Sequence, residues 1–157
     1  MFQLLRGTSA LSLLPRAAML ALIMGAVAFP VAVFAQSSAS IQPINSATLT
    51  NKVALTVSLT ASCGPFVNPA NSGFTSLSVT QAVGQHVAES AGTGQIDCDG
   101  TAHTTTINMT VLASGAPFHD GPAVANADIL GCGVDPVSGI GSCVNASTSG
   151  TIRLVNK

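Results

Sequence analysis

Val53-Ala54-Leu55-Thr56-Val57-Ser58-Leu59-Thr60-Ala61-Ser62-Cys63 decides the fold. Every odd position is apolar, and the even positions are mostly Thr or Ser. A period of two over eleven residues is the signature of a β-strand with one buried and one wet face. Cys63 falls in register with the buried face. Gly64-Pro65 then stops the strand, because proline offers no N–H to a ladder.

The same pattern recurs downstream. Asn68 to Gly73 is a turn cluster, and Leu77, Val79 and Val83 begin a second strand. Gly84 breaks it, and His86 to Ser90 reads as a short edge strand. Gly92-Thr93-Gly94 reads as a turn, followed by a strand Gln95–Cys98 with Ile96 and Cys98 on one face. Asp99-Gly100 is a turn signal. His103, Thr105, Ile107, Met109 and Val111 alternate through another long strand. Pro117 to Pro122 is a loop, Ala123 to Leu130 a strand of small residues, and Thr151 to Val155 a closing strand. No 3.6-residue apolar stripe interrupts this series. The expectation is an all-β protein: an immunoglobulin-like antiparallel β-sandwich of seven to nine strands.

The first 35 residues stand apart. Arg6 and Arg16 precede an uncharged run, Ala17 to Ala35, and Val33-Phe34-Ala35 places small residues before Gln36. Basic region, apolar region and cleavage site together predict a helical signal peptide over residues 1–35. A retained membrane anchor is the alternative, but Pro30 and the polar run after Ala35 favour cleavage. The remaining chain, Gln36 to Lys157, suits one domain over residues 48–157. Residues 36–47 read as a flexible lead-in or a short edge strand. The implied location is secreted or cell-surface.

Composition narrows the function classes. Lys52, Arg153 and Lys157 face Glu89, Asp97, Asp99, Asp120, Asp128 and Asp135, so three positive charges against six negative leave −3 after residue 35. No basic patch exists for nucleic acid. The expected partner is a protein or a cell-envelope component, with no membrane association after cleavage. Trp and Tyr are absent, which argues against a large aromatic platform.

Cys63, Cys98, Cys132 and Cys143 are an even set behind a signal peptide, which implies disulfides. Three connectivities exist. Cys63 and Cys98 each end an inward face, so bridging them is geometrically reasonable. Cys132 and Cys143 flank a Pro- and Gly-rich connection and would pair locally. Closing the longer loop contributes roughly 4 kcal/mol in the chain-entropy account, and the shorter roughly 3. No close CxxC pair supports zinc or redox chemistry.

Cys98-Asp99-Gly100-Thr101-Ala102-His103 gathers a thiol, a carboxylate and an imidazole, with His119-Asp120 one strand further on. Asp99, His103, His119 and Asp120 offer metal-ligand types without diagnostic spacing. The structural reading is stronger: Asp99-Gly100 makes a tight turn, with the carboxylate bonded to nearby backbone N–H. G-x-S-x-G, H-E-x-x-H, P-loop and dinucleotide patterns are all absent. The expectation is a protein without catalytic residues, cofactor or metal. The alternatives are a small metal-binding protein or hydrolase using those four residues, and an inhibitor presenting the Cys132–Cys143 loop. Phe66 and Phe118, in the loops "GPFVNPANSG" and "APFHDGP", are contact candidates if exposed together, or loop anchors if buried. His103 and His119 are weaker contact candidates.

"CDGTAH" before a long strand, then "APFHDGPAVANA", a cysteine pair and the terminal "TIRLVNK" resemble a group of small secreted bacterial proteins with an immunoglobulin-like fold and a Cys-Asp-Gly-x-x-His motif. The match runs from about Cys98 to Leu154. Thr104 and Thr105 stand where a Trp commonly follows that His. The resemblance implies a fold and an export route, and brings no activity with it.

Overall fold

The computed structural model describes residues 36–112 and 115–157. The signal peptide expected over residues 1–35 lies outside them. Eight strands form: β1 (Ser38–Ile41), β2 (Ser46–Thr50), β3 (Ala54–Gly64), β4 (Gly73–Val83), β5 (His86–Ile96), β6 (Ala102–Thr110), β7 (Gly121–Val134) and β8 (Gly141–Asn156). No helix occurs among the described residues, and so none there is long and apolar enough to cross a membrane.

The strands are hydrogen-bonded in the order β1-β3-β2-β8-β7-β4-β5, with β6 on the other edge of β3. β1 pairs with the C-terminal half of β3 (Ile41 opposite Ala61), and β2 with its N-terminal half (Thr48 opposite Thr56). The break between them contains Pro43. One pairing departs from the antiparallel expectation: β2 runs parallel to the end of β8, with Ser46 opposite Arg153. β2 reaches β3 through Asn51, Lys52 and Val53, a turn closed by the Val53 N–H on Thr50 O (3.2 Å), in which Asn51 and Lys52 both take positive φ (51° and 62°). Two positive φ values in that position match the right-handed twist of the flanking strands.

The alternation seen in the sequence sets the core. Leu55, Val57 and Leu59 of β3 pack in one cluster with Leu77 and Val79 of β4, Ile107 and Met109 of the neighbouring β6, Ala123, Ala125 and Ala127 of β7, and Ile152 and Leu154 of β8. A second cluster gathers Ala61, Phe66, Ile96 and Ile129 around the buried Cys63–Cys98 disulfide. The second disulfide, Cys132–Cys143, joins directly opposed residues of β7 and β8 on the exposed face. Both pairings agree with the sequence reading.

Three elements differ from expectation. Residues 36–47, read as a lead-in or a short edge strand, hold β1 and the first residues of β2. Gly92-Thr93-Gly94 is no turn: β5 runs unbroken from His86 to Ile96, and Cys98 lies beyond it. Both glycines face β6. A Cβ on Gly92 would fall 2.5 Å from Met109 Cγ and 2.7 Å from Ile107 Cγ2. They mark a close approach of two strands rather than a chain reversal. Finally, β8 begins at Gly141 rather than Thr151, because its first half pairs with β7 without large apolar residues of its own.

Candidate functional site

The cluster around Asp99 forms at the Cys63–Cys98 end. Gly100, at φ 88°, donates its N–H to Cys63 O at 2.9 Å and turns the chain into β6. Glycine accepts that conformation without a Cβ penalty. Asp99 Oδ1 accepts the Thr101 N–H (2.8 Å), the Thr101 hydroxyl (2.7 Å) and a contact from His103 Nε2 (2.9 Å). The Thr101 hydroxyl, then the Thr101 N–H, then His103 hold the Asp99 carboxyl down at about 2. An acid so committed stays ionised near neutrality and is unsuited to general-acid work. Asp97 likewise accepts the Asn71 N–H at 2.8 Å. The carboxylates here brace turns.

His119 and Asp120 lie at the other end. The His119 N–H donates to Gln81 Oε1 at 2.8 Å, and Gln81 Nε2 returns a bond to His119 O at 2.9 Å. Asp120 shares a small cavity with Lys52 and Asn156. His103, the second residue of β6, pairs with Ala61, whereas Phe118 beside His119 bonds Lys52 O past the far end of β3; the seven strand residues after His103 alone span roughly 23 Å. The four-residue constellation Asp99, His103, His119 and Asp120 therefore does not assemble. Among the described residues no three His, Cys, Asp or Glu side chains are grouped to hold a metal.

The paired contact candidates are also corrected. Phe66 is 4% exposed and Phe118 fully buried, in different core clusters. Each anchors its loop. The Phe118 N–H bonds Lys52 O, and the Phe66 N–H bonds Cys98 O.

Among the described residues the exposed aromatic is instead Phe74, 50% exposed, directly opposite Leu130, also 50% exposed, on the outer face of β4 and β7. Around them lie Gln95 of β5 and Asn145 of β8, then a row of Thr93, Ser76, Asp128 and Ser147. This is a nearly uncharged plate of small polar side chains with one apolar pair. The sequence carried the signal: Phe74 is out of phase with Leu77 and Val79, and Leu130 with Ile129.

The β7–β8 hairpin is the other distinctive surface. Asp135 Oδ1 accepts the N–H groups of Val137 (3.0 Å) and Ser138 (2.9 Å), while Oδ2 accepts the Ser37 hydroxyl at 2.7 Å. The Ser138 N–H, then Ser37, then Val137 hold its carboxyl down at about 2. Val137 and Ile140 stand exposed at the tip. A cleft of about 580 Å3 runs beside it, lined by Ser37, Asp135, Ser142 and Val144.

No protein-family model matches the chain, and no curated protein matches it. Among solved structures, it is similar to the solution structure of a protein assigned to the late embryogenesis abundant (LEA) class. The two are 17% identical, the match covers 76% of this chain and 71% of that one, and the TM-score is 0.33.

Proposed function

We propose that the chain is an exported immunoglobulin-like sandwich that works without catalysis, as a structural or interaction module at or outside the cell surface, like the secreted bacterial proteins its motifs resemble. Its contact surface is the outer face around Phe74 and Leu130, for a protein or cell-envelope partner. The observation that carries export is the Cys132–Cys143 bridge on the exposed face. Cytosolic reductants would reach it, so it belongs to an oxidising compartment. The antiparallel pairs β3–β6, β4–β7 and β7–β8 with a parallel β2–β8 pair support the sandwich. Against a hydrolase or metal-binding role stands the separation of the Asp99–His103 and His119–Asp120 pairs.

Expression of the full chain in a bacterial host tests export. The product recovered outside the cytosol should begin at Gln36 and gain four hydrogens on reduction, as two disulfides require. A product with four free thiols, or one still carrying residues 1–35, overturns it. One observation favours a second reading, an inhibitor: the disulfide-closed hairpin presents Val137 and Ile140 at its tip. A partner lost from Ile140→Asp but retained by Phe74→Ser would assign the contact to the tip.

A further inference from the structure

The first half of β8 presents an edge that no strand pairs among the described residues. β7 pairs with one side of β8 throughout, and β2 covers the other side only from Arg153 onward. From Gly141 to Gly150 that second side has no strand among the described residues. β1 packs across both β7 and β8 from within, through Ala39 and Ile41, rather than alongside β8. The β5 edge is held at Val87 and Glu89 by the N–H groups of Ala116 and Leu112, and the end of β6, which pairs only with β3, is tied to β5 by the Ser90–Val111 bridge and the Ser90 hydroxyl on Thr110 O.

The direction of the free backbone groups follows from the disulfide. Cys132 and Cys143 are directly opposed with Cα atoms 4.1 Å apart. That close spacing belongs to a non-hydrogen-bonded pair, whose N–H and C=O groups point away from each other's strand. Cys143 therefore aims both groups outward, and by alternation so do Gly141, Asn145 and Ser147. Arg153 has the same parity, and its N–H does bond outward, to Asn45 O at 3.1 Å. Natural sheets blunt such edges with charges, proline, bulges or short strands. The run GSCVNASTSG carries no charged residue and no proline, and no break interrupts it.

We propose that this edge pairs with the same edge of a second copy of the chain, antiparallel about a two-fold axis at Val144. In that register Gly141 meets Ser147 of the second copy, and Cys143 meets Asn145. Each of the four outward residues then fills one N–H and one C=O. Two observations select a second copy in this register. First, β2 closes the edge at Arg153, so an incoming hairpin has to end there. With Val144 on the axis, Asp135 and Ile140 of the second copy, which close its β7–β8 hairpin, lie level with Thr148, so the hairpin turn fits the open stretch and stops short of Arg153. Second, no residue from Gly141 to Gly150 is charged, so the axis brings no like charges together. A two-fold axis sets like against like at its centre, and here that is half-buried Val144, an apolar β-branched pair. The interface is isologous and closes on itself as a dimer.

The test is sedimentation equilibrium of the exported, purified protein up to about 500 µM, since edge pairing alone falls at the small end of interfaces. A dimer is expected, and Asn145→Pro should shift its dissociation constant at least tenfold toward monomer. Proline there removes an N–H aimed outward and leaves the β7 ladder intact, so the melting temperature at low concentration should stay close to wild type. Amide exchange on the wild-type protein decides independently, should the proline variant fail to fold. The Cys143, Asn145 and Ser147 amides should slow as concentration rises. A monomer at every concentration, a dimer indifferent to Asn145→Pro, or fast exchange at those amides throughout would each overturn the proposal.

Discussion

Replacing each disulfide by a pair of alanines should give unequal losses, and the structure says which is larger. Cys63 and Cys98 are 35 residues apart and Cys132 and Cys143 are 11 apart. Restoring freedom to the unfolded chain costs about 4 kcal/mol for the first and about 3 for the second. The Cys63–Cys98 sulfurs are also buried, packed under Gly73 and Gly131, where a Cβ would fall within 2.7–2.9 Å of them. Removing two such atoms adds about 1–2 kcal/mol of lost burial and cavity formation. The exposed pair adds little, because the hairpin rungs around it hold without it. A domain of this size loses about 0.25 kcal/mol of stability per degree near its midpoint. Cys63→Ala/Cys98→Ala should therefore lower Tm by about 20 °C, and Cys132→Ala/Cys143→Ala by about 12 °C. Calorimetry of the three proteins at one pH measures both. Equal falls, or a larger fall for the exposed pair, would refute the assignment of one bridge to the core and the other to the surface.

Phe118→Ala should cost about 3–5 kcal/mol, whereas Phe74→Ala should cost about 1 kcal/mol or less; urea unfolding of the two variants separates anchor from surface. Gly92→Ala should destabilise by about 1–3 kcal/mol through its clash with Ile107 and Met109, while Gly150→Ala, which meets nothing within 4 Å, should leave Tm unchanged or slightly raised. Asp99 and Asp135 are held at about 2, below the ordinary 3.8. In acid the unfolded chain therefore binds protons first, so this stability is complete above about pH 4 and is lost as pH falls toward 2. Melting curves between pH 2 and 5 should show that slope, and Asp135→Asn should flatten it.

Most of the architecture was readable because β3, β6 and β7 alternate strictly, and a two-residue period leaves one choice of buried face. The cysteine pairing followed from the same register. Gly92 and Gly94 misled, since a glycine that admits a crossing strand looks in sequence like one that turns the chain. The first half of β8 was invisible for a related reason: a strand that borrows its apolar cover from β7 carries no stripe of its own. His103 and His119 stand one strand apart in the sequence, and spacing alone does not show that this strand, β6, carries them to opposite ends of β3. Phe74 was legible by its phase, three residues before the buried Leu77 and so on the opposite face of β4.

The parallel seating of β2 beside β8 orders events in time. Ala47 and Leu49, near the beginning of the domain, find their neighbours only at Leu154 and Asn156, at its very end. A chain delivered amino end first, whether from a ribosome or through a translocation channel, cannot complete its sheet until the last residues emerge.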